Sequence, residues 1–137
     1  MRDISVGIEK LRVPENQITS LAHVGHLTKL RVLNVSQNPI TSLAAVRFPL
    51  SMKSGYFAST HIQDLRGVRF GDNVKRLTFD HCGIQNLDGF AFPPKLTSLS
   101  LAYSQFSKYP AEVPRRLIID YGASPLDDLE HPQEFEE

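Results

Sequence analysis

The sequence repeats itself every 22 residues, and a unit that short cannot bury its own apolar side chains. A chain built this way must stack copies of one motif to make a core. Asn16-Gln-Ile18-Thr-Ser-Leu21 returns as Asn38-Pro-Ile40-Thr-Ser-Leu43. Further steps of 22 reach Ile62 and Leu65, then Ile84 and Leu87, then Phe106 and Tyr109, with no insertion. A second apolar set precedes each point at the same offset. It runs Ile8, Leu11 and Val13; Leu30, Leu33 and Val35; Met52, Gly55 and Phe57; Val74, Leu77 and Phe79; Leu96, Leu99 and Leu101. A sixth unit is out of step, because Ile119 and Tyr121 follow Leu99 and Leu101 by 20. That offset puts Arg116 in an apolar slot, and residues 112–124 read as a degenerate terminal repeat acting as a cap.

Alternation around Leu33-Asn34-Val35 has period two, which predicts a short strand with one buried face. Between Ile40 and Phe48 the apolar spacings are two and three, too short for a long helix, so a 3₁₀ turn or irregular arc fits there. Pro49, Pro93 and Pro94 would stop any helix before the next strand. Neighbouring units at about 4.8 Å can then pair their strands into one parallel sheet.

The pattern L-x-x-L-x-L-x-x-N over residues 8 to 109 resembles the leucine-rich-repeat family. The resemblance implies an α/β solenoid, a horseshoe with a parallel sheet lining its concave side and short 3₁₀ or irregular arcs on its convex side. It also implies a structural ladder. Asn16, Asn38, Thr60, Cys82 and Ser104 occupy the family's asparagine column, whose side chains bond the backbone of neighbouring coils from inside the turn. The short unit and its I-x-x-L signature resemble the intracellular group that includes the leucine-rich regulator of protein phosphatase 1, a dynein light chain and a spliceosomal subunit. That likeness implies adaptor work within a larger assembly. The sequence departs from the group in having no helical cap before the first strand. The expectation is an edge strand covered by a partner or by further sequence.

Composition narrows the function classes. Lys plus Arg and Asp plus Glu both number 15, so no whole-chain field draws in nucleic acid or membrane. One cysteine allows no intramolecular disulfide. The first residues have no signal-peptide core, and no stretch approaches the roughly 20 apolar residues of a membrane span. A cytoplasmic protein is expected, with the nucleus as an alternative. No G-x-S-x-G, H-E-x-x-H, C-x-x-C or Gly-rich phosphate loop is present, so the chain reads as non-catalytic, without cofactor or metal. Cys82 beside His81 suggests a thiolate or metal pair, but the period makes Cys82 a buried ladder residue and His81 an exposed one. Phe48, Phe70 and Phe92 recur at 22 and read as outer-arc core. His23 and His26 have no third ligand near them in sequence.

The outward positions of the strands form columns across the expected concave face. Arg31, Lys53 and Lys75 fall in one column with Arg76 beside them, a basic stripe about 10 Å long. Arg12, Asn34, Tyr56 and Thr78 make the central column, and His81 and Tyr103 lie beyond the strands. These ten are the expected partner-binding residues, and the expected partner is another protein, because interfaces favour aromatic anchors with a charged rim. An RNA-contacting ribonucleoprotein subunit and a receptor ectodomain fragment, with Asn34-Val35-Ser36 as its glycan sequon, are the alternatives. Gly55 stands where other units have Leu, so that coil should be underpacked or filled by Met52 and Tyr56. Residues 1–124 read as the repeat domain. Residues 125–137, with six acidic side chains and no Lys or Arg, read as an acidic tail able to fold over the basic stripe.

Overall fold

A computed structural model describes residues 7–122. The acidic segment 125–137 and its suggested fold-back over the stripe lie outside those residues. Six three-residue strands form one parallel sheet in sequence order: β1 (Lys10–Arg12), β2 (Val32–Asn34), β3 (Ser54–Tyr56), β4 (Arg76–Thr78), β5 (Ser98–Ser100) and β6 (Ile118–Asp120). The register keeps the 22-residue step from β1 to β5, as in Leu11 opposite Leu33 opposite Gly55. Among the described residues one 3₁₀ turn, Val24–His26, is the whole helical content.

Backbone bonding continues past both ends of each strand. At the start, the Lys53 carbonyl accepts from Lys75 N at 2.8 Å and Arg76 N at 3.2 Å, and the Glu9, Arg31 and Lys75 carbonyls do likewise. At the end, Val35 N donates to Tyr56 O and Gln37 N to Ala58 O, a pattern repeated down the stack. The residues making the last of these bonds, Glu15, Gln37, Ser59 and His81, are left-handed, and Tyr103 shares their conformation, with φ of 57° to 60° across the five. That conformation costs a non-glycine residue about 1 kcal/mol or more, and the inter-coil bonds hold it in place.

The outer arcs are successive β-turns. Leu21 O, Leu43 O, Leu65 O and Leu87 O each accept the N–H three residues on, and Gly67 and Gly89 take φ of 74° and 75° within their turns. Ser20, Ser42, Asp64 and Asn86 precede these leucines, and each side-chain oxygen accepts an N–H two residues on. Pro49 and Pro93 do not end helices. Their carbonyls open the turns that return the chain to the sheet, to Met52 N at 3.2 Å and Leu96 N at 3.1 Å.

The core runs the length of the stack, with Leu33, Val35, Ile40, Leu43, Ile62, Leu65, Ile84, Leu99 and Leu101 fully buried. At Gly55 the expected filling by Tyr56 does not occur, since Tyr56 points to the other face of β3. A Cβ at Gly55 would lie 2.7 Å from Phe57 Cε2, 3.2 Å from Leu77 Cδ2 and 3.3 Å from Met52 Cε. Phe57 fills the space together with the expected Met52, and the Phe57 ring stacks on Phe79 at 5.2 Å. Phe48 and Phe70 stack at 4.6 Å beside them, so the recurring phenylalanines are core packing.

The sixth coil also differs from expectation. Arg116 is exposed, and the apolar slot is taken by Leu117, whose N–H closes a turn on Pro114 O as Leu96 does on Pro93 O. Pro114 follows Pro93 by 21, and β6 follows Leu117 directly, whereas Thr97 separates Leu96 from β5. The shift of 20 is therefore two single-residue deletions, one on the arc and one before the strand.

The ladder column is internal from Asn38 to Ser104, whereas Asn16 in the first coil is exposed and its Nδ2 donates to Val13 O and Pro14 O of its own coil. Asn38 Oδ1 accepts from Asn16 N at 3.1 Å and Ile18 N at 3.0 Å, and Nδ2 donates to Val13 O at 3.0 Å and Val35 O at 2.9 Å. Thr60 donates to Phe57 O at 2.9 Å. Ser104 Oγ is buried without a hydrogen-bond partner among the described residues.

Two stability predictions result. Asn38→Ala should cost at least about 2 kcal/mol in denaturant melts, because it strands several buried backbone groups, whereas Ser104→Ala should be neutral or stabilising. Equal losses at the two positions would contradict the ladder. Gly55→Leu, which restores the repeat consensus, should destabilise by about 1–3 kcal/mol by overpacking against Phe57; a rise in melting temperature would show that Phe57 does not occupy that space.

Candidate functional site on the open face of the sheet

Alternation in the strands sends one set of side chains into the core and leaves the other on the open face. Three columns cross that face. The first is Lys10, Val32, Ser54, Arg76, Ser98 and Ile118. The second is Arg12, Asn34, Tyr56, Thr78, Ser100 and Asp120. The third follows the strands and contains Ser36, Ala58, Asp80 and Ala102. Arg31, Lys53 and Lys75 form the rim at the strands' N-terminal ends, and His81 and Tyr103 stand on the opposite rim.

Of the ten residues expected to bind a partner, Arg12, Arg31, Lys53, Lys75, Arg76, His81 and Tyr103 are exposed, and Asn34, Tyr56 and Thr78 are half-buried. They do not gather into one cluster. Lys53 and Lys75 neighbour each other across one inter-coil hydrogen bond, and Arg76 follows in β4. His81 is six residues further along the coil, about 20 Å away at strand rise. There its ring stacks on Tyr103 at 4.5 Å and 9°. The face therefore has a cationic rim and an aromatic rim, with Tyr56 between them.

Charge is distributed unevenly across this face. Arg31 makes an ion pair with Glu9 at 3.5 Å, with both side chains more than half exposed, so the pair holds little energy. Among the described residues Lys53, Lys75 and Arg76 form no ion pair. The carboxylates lie beyond the strand centres: Asp80 Oδ1 accepts from the Ser100 hydroxyl and from Ala102 N at 2.9 Å, and Asp120 Oδ1 accepts from Gly122 N at 2.9 Å. Positive charge thus collects at the start of the strands and negative charge toward their ends.

Six parallel strands in sequence order, the first five at a 22-residue step, with buried ladder residues at Asn38, Thr60, Cys82 and Ser104 and outer arcs of turns between the strands, are now in view. The fold is a leucine-rich-repeat solenoid. The structure of a Shigella effector leucine-rich-repeat domain matches it with a TM-score of 0.70 at 23% identity, covering 90% of this chain and 53% of that one. YopM from Yersinia enterocolitica matches with a TM-score of 0.53 at 19% identity, covering 85% of this chain and 34% of that one. This chain therefore spans about half the first structure and about a third of the second. No family model and no curated protein matches the sequence.

Within the solenoid the chemically tempting residues have structural places. Cys82 is buried, with its Sγ 3.3 Å from Thr60 Oγ1 and 3.2 Å from Phe57 O. Burial raises its pKa, and the Thr60 contact only partly offsets that, so the group stays a thiol at neutral pH. Neighbouring His81 points outward to Tyr103. His23 and His26 stack at 6.0 Å on the outer arc, and no group of three metal-ligating side chains occurs among the described residues. An open groove of about 610 Å³ also lies on the outer arcs of the first and second coils, bounded by Gly25, His26, Arg47, Phe48 and the 73% exposed Leu50.

Sequence reasoning missed Ile118 and Asp120, which extend the first two columns to the sixth coil; Ile118 is 74% exposed. Their signal was the alternation of Ile119 and Tyr121. It also missed the Ser20, Ser42, Asp64 and Asn86 turn caps, visible as short acceptor side chains at a step of 22. Iodoacetamide should fail to modify Cys82 in the folded protein at pH 8 and should modify it readily in urea. Rapid native alkylation would contradict the buried ladder position.

Proposed function

We propose that this chain is a non-catalytic protein-interaction module that binds its partner on the open face of the sheet, as an adaptor within a larger assembly. The observation that carries the reading is the central column Arg12, Asn34, Tyr56, Thr78 and Ser100. It is a regular row set by strand register, open along its length and flanked by a cationic and an aromatic rim. A rigid face of this kind offers an anchor, Tyr56, with charged neighbours around it, which is how interfaces concentrate binding energy. The reactive groups of the chain support the same reading, since its lone thiol is buried and kept protonated. The same proposal includes a cytoplasmic or nuclear location, supported by a chain with no disulfide.

The rim cations Lys53, Lys75 and Arg76 favour one second reading, contact with RNA phosphate. Such binding would weaken steeply with salt, with a log–log slope set by the number of phosphates neutralised. The ectodomain reading would need a glycan on Asn34. That residue sits in β2 with its Oδ1 accepting from Ser36 N at 3.0 Å, so a glycan there would cover the centre of the face.

Photo-cross-linking in the native source tests the proposal. A benzoyl-phenylalanine in place of Tyr56 should capture a defined protein, and the same group in place of the outer-arc Arg69 should not. Capture of RNA from position 56 would move the reading to a ribonucleoprotein. Capture from position 69 alone would overturn the open-face reading.

A further inference from the structure

We infer that the occupant of the cationic rim is an acidic α-helix of the partner protein, lying along the solenoid axis with carboxylates at i, i+3 or i+4, and i+7. This rests on the open-face reading above and specifies what that face receives. Arg31, Lys53 and Lys75 occupy one register position in consecutive coils: Lys53 N bonds Arg31 O and Lys75 N bonds Lys53 O, each at 2.8 Å. Their backbones therefore repeat at about 4.8 Å, the spacing of paired strands. A helix repeats its face every 5.4 Å, so over two steps the mismatch is about 1.2 Å, within the reach of flexible lysine side chains. An extended peptide repeats one face at about 6.6 Å and drifts by nearly 4 Å over the same two steps. The rim is matched to helical turns.

Width gives an independent argument. From the Arg31 rim to the Gln37 rim is six residues, at most about 20 Å at strand rise because Gln37 already bends away from the strand. A helix with side chains is about 10–12 Å across and fits over the central column between the rims. In that position its acidic edge meets Lys53, Lys75 and Arg76, which have no counter-ion among the described residues, and its underside meets Tyr56 and Thr78. Arg31 would exchange its exposed Glu9 for a partner carboxylate. Single-stranded RNA fits less well, because it needs open aromatic platforms beside the cations. Here His81 and Tyr103 cover one ring face each by stacking together, on the far rim.

The test uses the full chain and two labelled helical peptides of equal composition. One carries three glutamates on a single face at i, i+3 and i+7; in the other the glutamates are spread around the helix. Fluorescence anisotropy at low salt should show the one-face peptide binding about tenfold tighter, the ratio expected from three exposed ion pairs. That preference should vanish in Lys53→Glu/Lys75→Glu, whose folding is checked by circular dichroism, and equally when the peptide glutamates become glutamines. Equal affinity for the two peptides would overturn the inference, as would tighter binding of a single-stranded RNA of the same charge. Binding of neither peptide, with a peptide of residues 125–137 bound instead, would assign the rim to the chain's own acidic segment and also overturn it. Cross-linking from position 56 with no discrimination between peptides would remove the helix while leaving the open-face reading standing.

Discussion

The parallel hydrogen-bond ladder between coils is the constraint on which the other features depend. Each strand assigned by regular geometry has only three residues, too few to stand alone, yet the inter-coil bonds run on through the rim positions and the left-handed residues after the strands. Because a carbonyl such as Lys53 O takes two N–H groups from the next coil, the register cannot slip without losing both. A slip of one residue would also turn Leu33 and its equivalents out of the core. Register and burial therefore enforce each other, and the side-chain columns of the open face are a by-product of that enforcement.

The same constraint explains how irregular residues are tolerated. Glu15, Gln37, Ser59, His81 and Tyr103 share an unfavourable φ because each completes the bend from strand into arc. Gly55 survives in a leucine column because Phe57, just past the end of β3, turns its ring into the vacated volume beside Met52. The polar ladder weakens from Asn38, which satisfies backbone groups of two coils, through Thr60 and Cys82 to Ser104, which satisfies none among the described residues. The middle of the stack is thus held by phenylalanine stacking as well as by the ladder.

The face inherits its chemistry from this geometry. Lys53 lies 22 residues before the adjacent pair Lys75 and Arg76, and the repeat step brings it beside them. Cations at one rim, carboxylates toward the other and Tyr56 between them give the face a direction, so a partner would dock in a preferred orientation. Cys82 shows the reverse effect, since the same step removes a reactive group from use by burying it.

From the sequence alone, the period, the buried columns, the ladder column from Asn38 on and the membership of the open face as far as β5 were legible, because a repeat enforces the same environment at every step of 22. Breaks in the repeat were legible only as anomalies. Periodicity could not say that Leu117 rather than Arg116 closes the sixth coil, since a shift of 20 can arise from one deletion of two or two of one. It could not say that Phe57 fills the place beside Gly55, nor that Arg31 shares its charge with Glu9 while Lys53 and Lys75 keep theirs. It did place His81 and Tyr103 toward the edge opposite the basic stripe, but not in contact. Tertiary structure stacked their rings, because pairing between side chains is set by three-dimensional packing, which a one-dimensional period does not contain.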